Sequence, residues 1–180
     1  MLDIRFDHLG KRKIAHTDCL VPLLFAIYMV LLIWAILFKM ELSIHELETI
    51  RSINLIPFYY ENEVGMNFHL KEVVENALIF IPLGIYLCML THSLSFKTKL
   101  FIILLTSSLL EIFQYVLSVG RTDITDVITN TCGGIIGIGL YGLAVKIFHG
   151  KKQADKIITI FAVIVTVVVV GGLSILLILN

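Results

Sequence analysis

The side chains best suited to chemistry in this sequence lie in a polar run at the head of a long apolar segment. The run holds one arginine, two aspartates and one asparagine, which are Arg121, Asp123, Asp126 and Asn130. Asp123, Asp126 and Asn130 follow the spacing i, i+3, i+7, which predicts that they share one face of a helix. A charged residue inside a membrane costs about 2.5–3.5 kcal/mol and usually faces the interior of a helix bundle. The run therefore predicts an inward-facing polar stripe that can bind a ligand.

Further polar residues are candidates for the same site, namely Asn54, Glu75, Asn76, Glu111 and Gln114. At a rise of 1.5 Å per residue, Glu111 lies about 12 Å below the end of its apolar segment, and Asn76 and Asn130 reach comparable depths. An amide would hold helices together at a lower desolvation cost than a carboxylate at this depth. We therefore predict one polar pocket, capped by Arg121 and by residues 54–58. The alternative is that these side chains only join helices, through hydrogen bonds worth about 0.6 kcal/mol on average.

The predicted pocket contains many more carboxylates than cations. The carboxylates are those of Glu72, Glu75, Glu111, Asp123 and Asp126, and the cations are Arg121 and, at the rim, Lys71. A bare phosphate would be repelled by this charge, so three alternatives stay open. Some carboxyls carry a proton, a divalent cation bridges them, or the ligand is cationic or neutral. The sequence predicts no obligatory cofactor.

Small residues are expected to let the neighbouring helices approach closely. We interpret Gly133, Gly134 and Gly137, together with Pro82 and Gly84 of an earlier apolar segment, as devices of helix packing.

The elements that must position these residues follow from composition. The chain has 180 residues, of which 58% are hydrophobic and 16% charged, whereas soluble domains carry about 25% charged residues. Its apolar residues form five segments long enough to cross a bilayer, at residues 20–38, 73–91, 100–119, 124–148 and 157–179. We predict an all-α membrane protein with five transmembrane helices in one bundle, a single domain over residues 1–180. The net charge of zero gives no reason to expect a nucleic-acid partner.

Basic residues predict the orientation of the bundle. They cluster before the first segment, at Lys97 and Lys99 in the second connection, and at residues 146–156 in the fourth. Because such residues are enriched on the cytoplasmic side, we predict a cytoplasmic N-terminus and an external C-terminus. The polar pocket then opens outward.

The first external loop contains a pattern typical of a short amphipathic helix on the membrane surface. Residues 43–46 have the form of a capping box, and Ile44, Leu47, Ile50 and Ile53 recur at helical spacing. The helix is expected to end before Pro57, and residues 54–58 are expected to be extended. An unstructured acidic loop is the alternative.

Four ordered motifs in this sequence resemble the VanZ-like family of bacterial membrane proteins. They are Asn54-Leu-Ile-Pro-Phe58, Asn76-Ala-Leu-Ile-Phe-Ile-Pro-Leu-Gly84, Glu111-Ile-Phe-Gln114, and the run from Gly120 through Asn130 to Gly137. The resemblance covers roughly residues 53–143. It implies a multi-pass protein of the bacterial cytoplasmic membrane that contributes to low-level resistance to teicoplanin-type lipoglycopeptides, or to homeostasis of the cell envelope. The ligand would be a lipidated drug or a lipid-linked cell-wall precursor.

The resemblance also implies which residues function, namely Arg121, Asp123, Asp126, Asn130, Glu111, Gln114 and Asn76. A membrane-embedded enzyme acting on a lipid-linked precursor is the main alternative, with Glu111, Asp123 and Asp126 as metal ligands or acid–base groups. The sequence lacks the His-Glu-x-x-His and Gly-x-Ser-x-Gly motifs, which favours binding over catalysis. A transporter and a helper subunit without a small ligand are further alternatives; the oligomeric state does not follow from the sequence.

Overall fold

A computed structural model of the chain describes residues 16–37, 51–58 and 63–179. Within these residues it contains five helices and two short strands, which are α1 (His16–Leu37), β1 (Arg51–Asn54), α2 (Glu63–Leu90), α3 (Phe96–Leu117), β2 (Gly120–Asp123), α4 (Ile124–Ile147) and α5 (Lys151–Leu179). All five helices are long and apolar enough to cross a membrane. The prediction of five such helices is therefore confirmed.

Helix α2 is longer than the apolar segment that predicted it. It begins at Glu63, ten residues before the expected start at residue 73, and has 28 residues. Such a helix is about 42 Å long, whereas the hydrocarbon core of a bilayer is about 30 Å thick. Because backbone hydrogen bonds continue beyond the apolar residues, hydropathy underestimates the length of a helix with a polar extension.

A two-stranded parallel ladder joins the first and third connections of the bundle. Strand β1 pairs with β2 in a register that places Ile53 opposite Thr122 and Asn54 opposite Asp123. The sequence predicted a surface helix that extended to residue 53. Its first part lies outside the described residues, and residues 51–54 are strand rather than helix. Pairing with β2 satisfies backbone groups of this segment, and no short-range sequence signal reports it.

The strand β2 also changes the predicted position of the first polar residues. Arg121 and Asp123 precede α4, and Asp123 is its N-cap, with an extended backbone at φ −126° and ψ 127°. The prediction that Asp123 shares a helical face with Asp126 and Asn130 is therefore wrong. Aspartate is a preferred N-cap because its carboxylate accepts a hydrogen bond from a backbone N–H of the first turn.

Helices α2 and α4 approach each other closely through glycine. A Cβ atom added at Gly133 would lie 2.0 Å from the carbonyl oxygen of Ala77, and one at Gly137 would lie 2.1 Å from that of Ile81. A Cβ added at Gly84 would in turn lie 2.0 Å from the carbonyl oxygen of Gly134. No larger residue fits at these positions without moving a backbone. This contact sets the position of α4 against α2, and hence the position of their polar ends.

The core lies between the first four helices, and α5 is peripheral. Leu32 of α1, Phe80 and Leu83 of α2, and Ile103 of α3 belong to one buried cluster. The described part of α5 contributes only Ala154 and Thr159 as buried residues, both near its start. The polar site therefore depends mainly on α2, α3, α4 and the strand pair.

Candidate functional site

Four buried residues form a hydrogen-bonded group at the start of α4, and we call Asn54, Glu111, Asp123 and Thr125 the polar cluster. The backbone N–H of Asp123 donates to Oε2 of Glu111 at 3.0 Å. The Asp123 carboxylate accepts from Nδ2 of Asn54 at 2.9 Å and from the backbone N–H of Thr125 at 2.8 Å. Each of the four side chains is at most 7% exposed. Strand β1, helix α3 and the β2–α4 junction thus deliver polar groups to one place.

Residues 54–58 close over the start of α4. The backbone N–H of Ile56 donates to Oδ1 of Asn54 at 3.1 Å, and that of Phe58 donates to Oγ1 of Thr125 at 3.0 Å. The side chains of Leu55, Ile56 and Phe58 are 73%, 60% and 53% exposed. The segment therefore presents an apolar outer surface while its backbone is fastened to the polar cluster.

Several carboxyl groups act electrostatically on Glu111 in the polar cluster. Asp126 and Glu72 lie close enough to Glu111 to exert Coulombic repulsion on its carboxylate, as Asp123 also does. The positive end of the α4 dipole favours anions at Asp123 and Asp126, which offsets part of this repulsion. The side chain of Arg121 lies outside the described residues. That Arg121 balances the charge of these carboxylates therefore stays a prediction.

Three polar residues of α3 lie on one face and are all buried. Ser107, Glu111 and Gln114 are spaced i, i+4, i+7 and are at most 4% exposed. Nε2 of Gln114 donates to the carbonyl oxygen of Ile36 at 2.7 Å, and Nδ2 of Asn130 donates to Oγ of Ser107 at 3.0 Å. These bonds tie α3 to α1 and to α4.

The amide oxygens of Gln114 and Asn130 are buried without a hydrogen-bond partner among the described residues. An unmet acceptor of this kind costs about 1–3 kcal/mol, and such groups are usually satisfied by ordered water or a ligand. The site therefore has acceptors in excess, and it suits a molecule that presents N–H, O–H or cationic groups.

The remaining predicted residues occupy the edge of this arrangement. Asn76 is half-buried on α2. Glu75 has a side chain that is 47% exposed, and its Oε1 lies 3.6 Å from Nζ of Lys71. Surface pairs of this kind contribute about 0–1 kcal/mol. Glu75 therefore belongs to the outer surface of α2, and not to the polar cluster.

Sequence reasoning missed two threonines that help to build the cluster. Thr125 is 2% exposed, and Oγ1 of Thr122 donates to the backbone oxygen of Glu111 at 3.1 Å. The signal available was the Asp-x-Thr pattern at a helix start, which is typical of a cap.

The carboxylates near Glu111 do not form a recognisable metal-ligand group. Within the described residues, no three His, Cys, Asp or Glu side chains are arranged to hold a metal ion. Both carboxylate oxygens of Asp123 already accept hydrogen bonds, from Asn54 and Thr125. The bridging divalent cation therefore stays a prediction.

Comparisons with known proteins agree with the motifs at this site. The family model described as VanZ/LLP1 matches residues 25–146, from α1 to the end of α4. The chain is 40% identical over 146 residues to Protein VanZ of Enterococcus faecium, which covers 80% of this chain and 86% of that protein. No solved structure matches the chain. The polar cluster and the glycine contact between α2 and α4 lie within the matched residues, and the five apolar helices indicate a membrane protein. This chain belongs to the VanZ/LLP1 family.

Proposed function

We propose that the protein protects a bacterial cell envelope against teicoplanin-type lipoglycopeptides by binding a lipidated or lipid-linked ligand at the polar cluster. The observation that carries the proposal is the convergence of Asn54, Glu111 and Asp123, from three separate elements, into one buried hydrogen-bonded group. Holding helices together does not require two neighbouring carboxyl side chains, those of Glu111 and Asp123, that are at most 7% exposed.

The charge distribution supports an outward-facing site. Lys97 and Lys99, in the first turn of α3, and Lys151 and Lys152, at the start of α5, lie at the opposite end of the bundle from the polar cluster. Basic residues are enriched on the cytoplasmic side of membranes. The cluster then faces the outside of the cytoplasmic membrane, where lipoglycopeptides meet cell-wall precursors.

The chemistry of the cluster supports a ligand with donor or cationic groups. Among the described residues, the amide oxygens of Gln114 and Asn130 have no hydrogen-bond donor, and Glu72, Asp123 and Asp126 act electrostatically on Glu111. A glycopeptide or a peptide-bearing lipid presents many N–H and O–H groups. The apolar part of such a ligand would lie at the depth of the hydrocarbon core of the membrane.

The proposal is tested by replacing single polar groups in a strain that carries this protein, with teicoplanin resistance as the readout. Asp123→Asn keeps a good N-cap but removes a charge and places an amide against Asn54. We expect loss of resistance and increased binding of fluorescent teicoplanin to the cell surface, at unchanged protein level in the membrane. Glu75→Gln is the matched control, because Glu75 lies outside the cluster, and it should retain resistance.

Equal teicoplanin susceptibility of the parent, Asp123→Asn and gene-deletion strains would overturn the proposal. The enzymatic alternative predicts turnover of a lipid-linked cell-wall precursor by the purified protein.

A further inference from the structure

An apolar cavity lies between α1, α2 and α5, away from the polar cluster. Its volume is about 440 Å³, and its walls include Trp34, Ala35, Ile79, Pro82, Val165 and Val169. Small-molecule sites commonly have volumes of about 300–1,000 Å³. The cavity is therefore large enough to hold part of a ligand.

The walls of this cavity suit hydrocarbon and not water. A buried water needs about 2–4 polar partners, whereas these side chains are almost entirely apolar. The hydroxyl of Tyr28, one of the few polar groups there, already donates to the backbone oxygen of Ile79 at 2.8 Å. An occupant of the cavity is therefore a hydrocarbon chain.

Polar contacts hold α5 to the bundle near its start, and the cavity lies further along this helix. Oδ1 of Asp155 accepts from the hydroxyl of Tyr141 at 2.9 Å, and Oδ2 of Asp155 lies 3.5 Å from Nε2 of His92. Beyond Thr159 the side chains of α5 are intermediate or exposed, including Val165 and Val169 at 42% and 40%. Helix α5 therefore forms a wall of the cavity without filling the space against α1 and α2.

Helix α1 connects the wall of the cavity to the polar site. Ala35 precedes Ile36, whose backbone oxygen accepts the hydrogen bond from Gln114 at 2.7 Å. Gln114 lies three residues from Glu111 on α3, which is about one helical turn. A molecule with its polar part at the cluster and a chain running along α1 would reach the cavity.

We propose that this cavity holds one acyl chain of the amphiphile whose polar part binds at the polar cluster. The inference rests on the proposed function and specifies its ligand, which must carry a hydrocarbon chain long enough to pass Ile36 and enter between α1 and α5. Recognition of the chain then contributes to affinity, in addition to recognition of the polar group.

Trp34 provides a direct test, because it lines the cavity and is the single tryptophan of the chain. The purified full chain in phosphatidylcholine nanodiscs is titrated with a lysophospholipid that carries bromine on its acyl chain, since bromine quenches tryptophan fluorescence on contact. We expect saturable quenching at a low mole fraction of the probe. Glycerophosphocholine, which lacks the chain, should not compete, and the unbrominated lysophospholipid should.

Two variants fill the cavity from opposite walls, Ala35→Phe on α1 and Val169→Phe on α5. Each should weaken saturable binding of the probe by at least about tenfold, which corresponds to about 1.4 kcal/mol. Ala26→Phe is the matched control, because Ala26 is an exposed residue of the same helix α1, and it should bind as the parent does. Quenching that rises in proportion to probe content and is equal in all variants would overturn the proposal.

A second readout separates failure of this inference from failure of the proposed function. Ala35→Phe should raise teicoplanin susceptibility, and Ala26→Phe should not. If Ala35→Phe abolishes saturable quenching but resistance is unchanged, the ligand does not use the cavity and the inference is wrong, while the polar-cluster proposal stands. If Asp123→Asn and deletion leave susceptibility unchanged, the proposed function itself fails, whatever the quenching result.

Discussion

The bond between Asn54 and Asp123 makes the strongest quantitative prediction about the polar cluster. Asp123→Ala removes the N-cap of α4, which costs about 1 kcal/mol, and leaves the buried Nδ2 of Asn54 without its acceptor, which costs about 1–3 kcal/mol. We therefore expect the free energy of unfolding to fall by about 2–4 kcal/mol. Asn54→Ala removes the donor at 2.9 Å and should cost about 1–3 kcal/mol for the same reason.

A double-mutant cycle isolates the contact between these two residues. In the Asn54→Ala, Asp123→Ala double variant neither Nδ2 of residue 54 nor Oδ2 of residue 123 is left without its partner, because both are removed. Its cost should therefore be about 1–3 kcal/mol less than the sum of the single costs. Removing Asp123 also relieves its repulsion of Glu111. The same relief occurs in Asp123→Ala and in the double variant, so it cancels when the coupling energy is calculated.

The assay is unfolding of the purified protein in mixed micelles with increasing fractions of denaturing detergent, followed by the fluorescence of Trp34. Leu55→Ala is the control, because this side chain is 73% exposed and next to Asn54, and its effect should lie within about 0.5 kcal/mol of zero. Additive single costs would refute the reasoning, because they would mean that the strand β1 is not held to α4 by this bond.

Two further predictions concern the helix contacts. Gly137→Ala places a Cβ 2.1 Å from the backbone oxygen of Ile81, whereas a Cβ at Gly139 meets nothing within 4 Å. Overpacking should therefore destabilise Gly137→Ala by about 1–3 kcal/mol and lower the midpoint of its thermal unfolding. Gly139→Ala is the control and should unfold close to the parent temperature. Equal midpoints would contradict the close contact between α2 and α4. Tyr141→Phe removes the hydrogen bond to Asp155, which is worth about 1 kcal/mol. Amide hydrogen exchange in the first turns of α5 should therefore become faster. An unchanged exchange rate there would mean that this bond does not stabilise the packing of α5.

The sequence was sufficient to predict the helices because a bilayer requires long uninterrupted apolar segments, and each such segment became a helix. It also predicted that Glu111 and Asp123 face inward, because deep carboxylates are costly in lipid, and both side chains are buried. Proximity of Asn54 to Asp123 could not be derived from spacing, since 69 residues separate them. Strands of four residues show too few alternations of side chain to be recognised.

The sequence was less informative about which side of α2 faces inward. Glu75 and Asn76 are adjacent, so a helix turns them about 100° apart, and only the packing of α2 decides which is buried. Glycines at residues 133 and 137 fix that packing, because they bring α4 against the backbone at Ala77 and Ile81. Asn76 is thereby half-buried and Glu75 stays at the surface.

The contact between α2 and α4 also restricts which parts of the molecule can move when a ligand binds. Backbone oxygens of α2 seat against Cα atoms of Gly133 and Gly137, so sliding by one residue would drive the side chains of neighbouring residues such as Ile138 into a main chain. Interiors this tightly fitted transmit displacement and resist shear. Helices α2 and α4 are therefore expected to move together as one rigid unit. Any motion that admits a large ligand is expected in the surrounding parts, at residues 54–58 and in the part of α5 beyond Thr159.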